Sequence, residues 1–139
     1  MADPYHLRRL VDAQAPIFEA VRAELLRGRK QSHWMWFMFP QLRGLGHSAM
    51  AERYAIGSLA EARAYLSHPI LGARLRECAA IVMAVEGRSI TRILGEIDAM
   101  KFRSSMTLFA RASEGEEVFL QALEKHFGGE EDLATLERL

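Results

Sequence analysis

Helix-breaking punctuation divides this chain at short intervals, and that constraint leaves room for little besides short helices. Asp3 followed by Pro4 reads as a helix start, an acceptor side chain with proline at the first helical position, where its missing N–H costs nothing. Pro16 opens a second helix in which Ile17, Val21 and Leu25 recur every fourth residue with Phe18 alongside, until Gly28 ends it before Arg29 and Lys30. Ser58-Leu59-Ala60-Glu61 fits a capping box, and the helix it starts must stop near His68, because Pro69 disfavours helical geometry in the residue before it. From Pro69 to about Glu86, the apolar residues Leu71, Leu75, Cys78, Val82 and Val85 fall within an arc of about 80°, an ordinary core stripe that Gly87 closes. Ser89 caps a short turn through Ile93 and Leu94, ended by Gly95. Asp98 is placed to cap a helix running to about Ala112, Ser113 to cap another that stops at Gly128 and Gly129, and Asp132 to Leu139 forms the last. No Asn-Gly hairpin signal, polar linker or internal repeat interrupts the pattern. The expected class is all-α, a single compact domain over residues 1–139 with seven to nine mostly short helices.

One stretch, SHWMWFMFPQLRGLGHS from Ser32 to Ser48, is unlike the rest. Ser32 can cap a turn beginning at His33, and Pro40 makes continuation beyond Phe39 unfavourable, so a two-turn helix is expected. Trp34, Trp36, Phe37 and Phe39 make it apolar nearly all round, which is the pattern of a segment threaded through a core. Gln41, Arg43, Gly44, Gly46 and Ser48 then form a glycine-spaced turn feeding a helix at Ala49. A helix start carries free N–H groups and partial positive charge, so this turn is a candidate seat for phosphate or carboxylate, with Arg43 as counter-charge.

A second cluster lies on the helix after Asp98, where Lys101 falls between Leu108 and Ser105 on a face that also carries Phe102, Met106 and Phe109. An ammonium among apolar neighbours must find a partner, reach water along its stem, or meet an anionic ligand. Two readings stand together: an Asp98–Lys101 pair with Ser105 bonded to the preceding turn, or a ligand site. Arg103 points to the opposite side, towards solvent, and Ser104 lies at the edge of the arc.

Eighteen Lys plus Arg balance eighteen Asp plus Glu, so no global field draws the chain onto nucleic acid or an anionic membrane, and neither is expected as a partner. Cys78 has no second cysteine to pair with, which favours the cytoplasm. The amino terminus lacks an apolar signal core, and the longest apolar run, Cys78 to Val85, is too short to span a bilayer. Gly46-His47-Ser48-Ala49-Met50 lacks the last glycine and the preceding strand of a nucleophile elbow, and Gly44 to Ala49 lacks the βαβ unit of a dinucleotide site. His6, His33, His47, His68 and His126 show no metal-ligand spacing. No cofactor is therefore expected, and the quaternary state is expected to be monomer or homodimer.

The chain resembles the family called domain of unknown function 1810, a mostly bacterial set of all-helical proteins. The likeness is carried by Gly28-Arg29-Lys30, by Ser32 to Gln41, by Gly44-Leu45-Gly46, by Ala55-Ile56 and by Tyr65 to Gly72. It continues through Asp98, Lys101, Ser104 to Phe109, Asp132 and Thr135-Leu136. It implies an all-α fold and no assigned activity. Members are sometimes labelled calpastatin, but that inhibitor is long, repetitive and disordered, whereas this chain is 50% apolar with capped amphipathic helices and should fold alone.

Two functions are compatible with these residues. In one, His33, Trp34, Trp36, Gln41, Arg43, Gly44, Gly46, Ser48, Lys101 and Ser105 line a pocket for a small anionic or nucleotide-like ligand, with His33 or Lys101 available for proton transfer or charge stabilisation. In the other, they only specify the core of a helical protein-interaction module without catalytic activity.

Overall fold

The computed structural model describes residues 2–139, among which ten helices form and no strand does. In chain order they are α1 (Arg8–Gln14), α2 (Phe18–Leu26), α3 (Met35–Met38), α4 (Ala49–Tyr54) and α5 (Leu59–Ser67). There follow α6 (Leu71–Ala84), α7 (Ile90–Leu94), α8 (Glu96–Ala112), α9 (Glu117–Phe127) and α10 (Leu133–Arg138). The count is slightly above the seven to nine expected, within the same all-helical class.

Side-chain caps, expected at Ser58 and Ser89, organise many of these ends. Ser48, Ser58, Ser89 and Asp132 each accept a hydrogen bond from the N–H three residues on, so α4, α5, α7 and α10 start where a side-chain acceptor stands ready. The capping box at Ser58 is only half formed, since Glu61 takes the N–H of Gly57 instead of that of Ser58. Asp3 caps at a distance, accepting from Leu7 and Arg8, and α1 therefore begins later than the Asp-Pro pair suggests. Asp98 caps nothing. The helix it was expected to start begins two residues earlier at Glu96, after Gly95, and Asp98 lies inside the first turn.

The longest helix, α8, is the centre of the packing, touching α5, α7, α9 and α10, while α6 bridges α2, α5 and α9. The middle of α8 is apolar on most sides, and Phe102, Met106, Leu108 and Phe109 are wholly buried there. Its aromatic residues set the angles: Phe102 meets Phe39 edge to face at 5.0 Å, and Phe109 lies 5.1 Å from Tyr65 and 6.0 Å from Phe119. A buried polar knot ties four helices into this core. Gln14 donates to Phe37 O and to Tyr65 Oη, and Arg74 donates to Gln14 Oε1. Arg9 clamps α1 against the segment after α4 by donating to Arg53 O and Ala55 O while pairing with Glu61.

Instead of a two-turn helix, residues 32–39 give one turn, Met35–Met38. The cause is Glu24, a buried carboxylate on α2. Its oxygens accept from the N–H of Gln31, the N–H and hydroxyl of Ser32 and the indole Nε1 of Trp34, so Ser32 is held by α2 and does not cap a helix of its own. Burial alone would raise the Glu24 carboxyl, but these bonds, led by the Ser32 hydroxyl, outweigh it and hold the group at about 2.

Because the folded carboxyl lies below its ordinary value of 4.5, the stability it contributes is complete above that pH and is lost as pH falls towards 2. The gap is worth on the order of 3 kcal/mol. Urea denaturation of Glu24→Gln should show a loss of about 2–3 kcal/mol at pH 7, and the difference from the parent chain should narrow steadily between pH 5 and pH 2.5.

Candidate functional site

A hollow of about 310 Å³ opens between the turn after Pro40, the first half of α8 and the start of α10. Gln41, Leu45 and Gly46 form one side, Ile97, Met100, Lys101 and Ser104 a second, and Asp132 and Ala134 the third. The turn is pinned by an isolated parallel bridge between Leu42 and Ile56, in which Ile56 N donates to Gln41 O and Arg43 N to Ile56 O. Helical spacing does the rest. Ile97, Lys101 and Ser104 follow at intervals of four and three, which puts all of them on the face of α8 that the turn approaches.

Lys101 is the cation of this hollow, and its neighbours explain why it is not neutralised in place. Its Nζ lies 3.8 Å from Asp98 Oδ1, beyond hydrogen-bond range, and 5.6 Å from the ring centre of Trp36. Asp98 has a closer partner on its other oxygen: Lys30 Nζ at 2.9 Å, with the lysine side chain only 8% exposed and lying over Trp34. One carboxylate thus serves two ammonium groups, and the triplet carries a surplus positive charge. Lys101, with its side chain 24% exposed, keeps donors for water or an anion.

Asp132 brings a carboxylate to the opposite side, but it is held in place. Its Oδ2 accepts from Ser104 Oγ, Thr135 N and Thr135 Oγ1, and its backbone N–H donates to Thr107 Oγ1. Leu45, Ile97, Met100 and Ala134 make the remaining surface largely apolar. Such a site suits a small molecule with an apolar body and one anionic group: the body meets the walls, and Lys101 meets the charge.

Of the residues singled out in the sequence, Gln41, Gly46 and Lys101 share this hollow, with Trp36 under the lysine. The others lie elsewhere. Trp34 is buried with its indole bonded to Glu24, His33 is exposed on the preceding loop, and Ser48 serves as the cap of α4. Helix α4 has six residues, so its start is a single capped turn. Arg43 faces a neighbouring hollow, and Gly44 lies under the guanidinium of Arg138. Ser105 admits two readings, a bond to the preceding turn or a ligand contact; Ser104 and Thr107 make the back-bonds, and the Ser105 hydroxyl is fully buried without a partner among the described residues. Leu45, Ile97, Met100, Ser104, Asp132 and Ala134 were not singled out as lining residues. Ile97 and Met100 carried a readable signal, being apolar residues one turn and one residue before Lys101 on a face that the rest of the helix does not cover.

A family model described as "Protein of unknown function (DUF1810)" matches residues 4–139. Among solved structures, the chain is similar to the conserved hypothetical protein Rv1873 from Mycobacterium tuberculosis, with 55% identity over 99% of this chain and 98% of that one and a TM-score of 0.97. No curated protein matches.

The two lysines on Asp98 should separate cleanly by mutation. Lys30→Met removes the short, enclosed partner and should cost about 3 kcal/mol in chemical denaturation. Lys101→Met removes a loose, half-open one and should cost less than about 1 kcal/mol.

Proposed function

The chain belongs to the DUF1810 family of proteins of unknown function, and we propose that it binds a small anionic ligand in the hollow between the 41–46 turn and α8, with Lys101 as the charge anchor. The single observation that carries this reading is the position of Lys101, which borders the same hollow as Gln41 and Gly46 while its carboxylate neighbour is taken by Lys30. Gln41 supplies an amide for orientation, and Trp36 flanks the ammonium with a flat aromatic face. The volume is at the small end of ligand sites, so a single ring or a short acyl chain bearing phosphate or carboxylate fits better than a whole dinucleotide. Binding, without turnover, is the role these groups support. The hydroxyl–carboxylate pair at the hollow, Ser104 Oγ to Asp132 Oδ2, has its acceptor oxygen already taking two further bonds from Thr135, and His33 stands outside the hollow.

A second reading, docking of a partner protein, is favoured by one feature of the rim. Ile97 is 73% exposed, Met100 71% and Leu133 71%, and the first two border the hollow directly. No helix among the described residues is long and apolar enough to cross a membrane. We infer a cytoplasmic location from cysteine usage, since Cys78 has no second cysteine to pair with; burial pushes its thiol up to about 12, which marks an inert core residue.

Thermal melting against phosphorylated metabolites, nucleotides and small carboxylic acids tests the first reading. A true ligand at a hundredfold excess over its Kd should stabilise by about 3 kcal/mol and raise Tm by several degrees. Lys101→Ala should abolish the rise with the unliganded Tm unchanged within about 2 °C. If Lys101→Ala responds like the parent while Ile97→Asp with Met100→Asp abolishes a protein association, the docking reading replaces it.

A further inference from the structure

We propose a second anion site, on the far side of the 41–46 turn, in which Arg43 and Arg138 together grip a phosphate monoester. Most arginines of this chain have acceptors. Arg8, Arg9, Arg22, Arg76, Arg103 and Arg111 form ion pairs with carboxylates. Arg27, Arg74 and Arg88 donate to neutral oxygens. Arg43 and Arg138 do neither among the described residues, and unlike other free arginines they border one hollow, of about 420 Å³, shared with Gly57, Ser58 and Leu59. A comparable hollow with two arginines, at Arg63 and Arg76, contains Glu116, which already pairs with Arg76.

Both guanidinium groups lie close against bare backbone. A Cβ at Gly44 would stand 2.4 Å from Arg138 Nη1, and one at Gly57 would stand 2.9 Å from Arg43 Nη1. Gly44 also has φ +97°, which a side chain would strain, so absence of a side chain serves there twice. Glu61 is engaged by Gly57 N and Arg9, and the last residue, Leu139, which also borders the hollow, forms no ion pair with either arginine among the described residues. Arginine is suited to this task because its planar fork donates two parallel bonds to adjacent phosphate oxygens, and two such forks match a dianion. The first turn of α5, whose cap Ser58 accepts only from Glu61 N, adds the favourable end of a helix dipole to a site that the arginines define.

The two sites are independent. Arg43 and Arg138 do not border the hollow of Lys101, and the second proposal stands if the first fails. An amide NMR titration of the full chain with inorganic phosphate and with phenyl phosphate is the test, using sodium acetate at equal ionic strength as control. The expected result is a saturable shift of the amides of 57–60 and the arginine Nε–H groups that persists in the Lys101→Ala chain, in which the other hollow has lost its charge anchor. Arg43→Ala and Arg138→Ala should each weaken the apparent Kd at least tenfold, Arg43→Lys should weaken it because the fork is lost, and Lys101→Ala should leave it unchanged. Gly57→Ala should also weaken it, because the new methyl displaces the tip of the Arg43 side chain and crowds Glu61 Oε1. Shifts that do not saturate, that spread over the surface, or that persist in the Arg43→Ala, Arg138→Ala double variant would overturn the proposal.

Discussion

The buried carboxylate of Glu24 orders the part of the chain on which the candidate site depends. Four donors from residues 31–34 converge on it, and their geometry fixes the loop leaving α2. That loop carries Lys30, whose N–H is anchored to Ile93 O and whose ammonium reaches Asp98. Once Asp98 is engaged by Lys30, Lys101 has only a loose contact with it and remains oriented towards the hollow. A hydrogen-bond hub on α2 therefore decides, through one intervening ion pair, which of the two lysines at Asp98 is structural and which is open to solvent. Removing the acceptor at Glu24 would leave the buried Trp34 indole N–H and three part-buried donors of Gln31 and Ser32 without their partner, and the desolvation would exceed the gain from any one bond.

The class and most helix ends were legible because they rest on local chemistry. Ser48, Ser58, Ser89 and Asp132 act within three residues, and Pro69 and Gly128 act on the backbone at their own positions. The misses at Ser32 and Asp98 are cases in which a remote partner won. Ser32 is a good cap by type, yet Glu24 is eight residues away in sequence and claims it. Asp98 has the right type to start a helix, but Lys30 from a distant loop draws its carboxylate, and Gly95 sets the start instead. His68 was read as a helix-end residue, and its ring Nδ1 also accepts from Ile70 and Leu71, an interaction that requires the chain to turn at Pro69 first. Residue type tells which bonds a side chain can make, while proximity in the fold decides which it does make.

The candidate site was half legible for the same reason. Lys101 and the glycine turn each stood out as anomalies against a helical pattern, and those anomalies converge on one hollow. Arg43 stood out too, but nothing in a linear sequence says that the Leu42–Ile56 bridge turns the residue away from Gln41 and towards Arg138, almost a hundred positions later. Asp132 and Ala134 come from the last helix, whose approach to α8 depends on the bond from Asp132 N to Thr107 and on the Ser104 contact. Side chains that close a pocket from a distant segment leave no periodic trace.

Balanced charge does not argue against anion recognition in such a chain. Net charge sets the long-range field, which salt screens beyond about 10 Å. Binding in a small hollow depends on which charges within a few ångströms are already satisfied. Here Glu24, Glu61 and Asp132 are occupied by hydrogen-bond donors, and Asp98 by Lys30. Among the described residues, the cations Lys101, Arg43 and Arg138 are left with weak partners or none, so a local cationic seat arises from unequal pairing and not from excess lysine and arginine. Both hollows flank one pinned turn, whose backbone is fixed by the bonds to Ile56. An anion on either side would therefore meet donors already held in place, and its binding would carry little cost for ordering the chain.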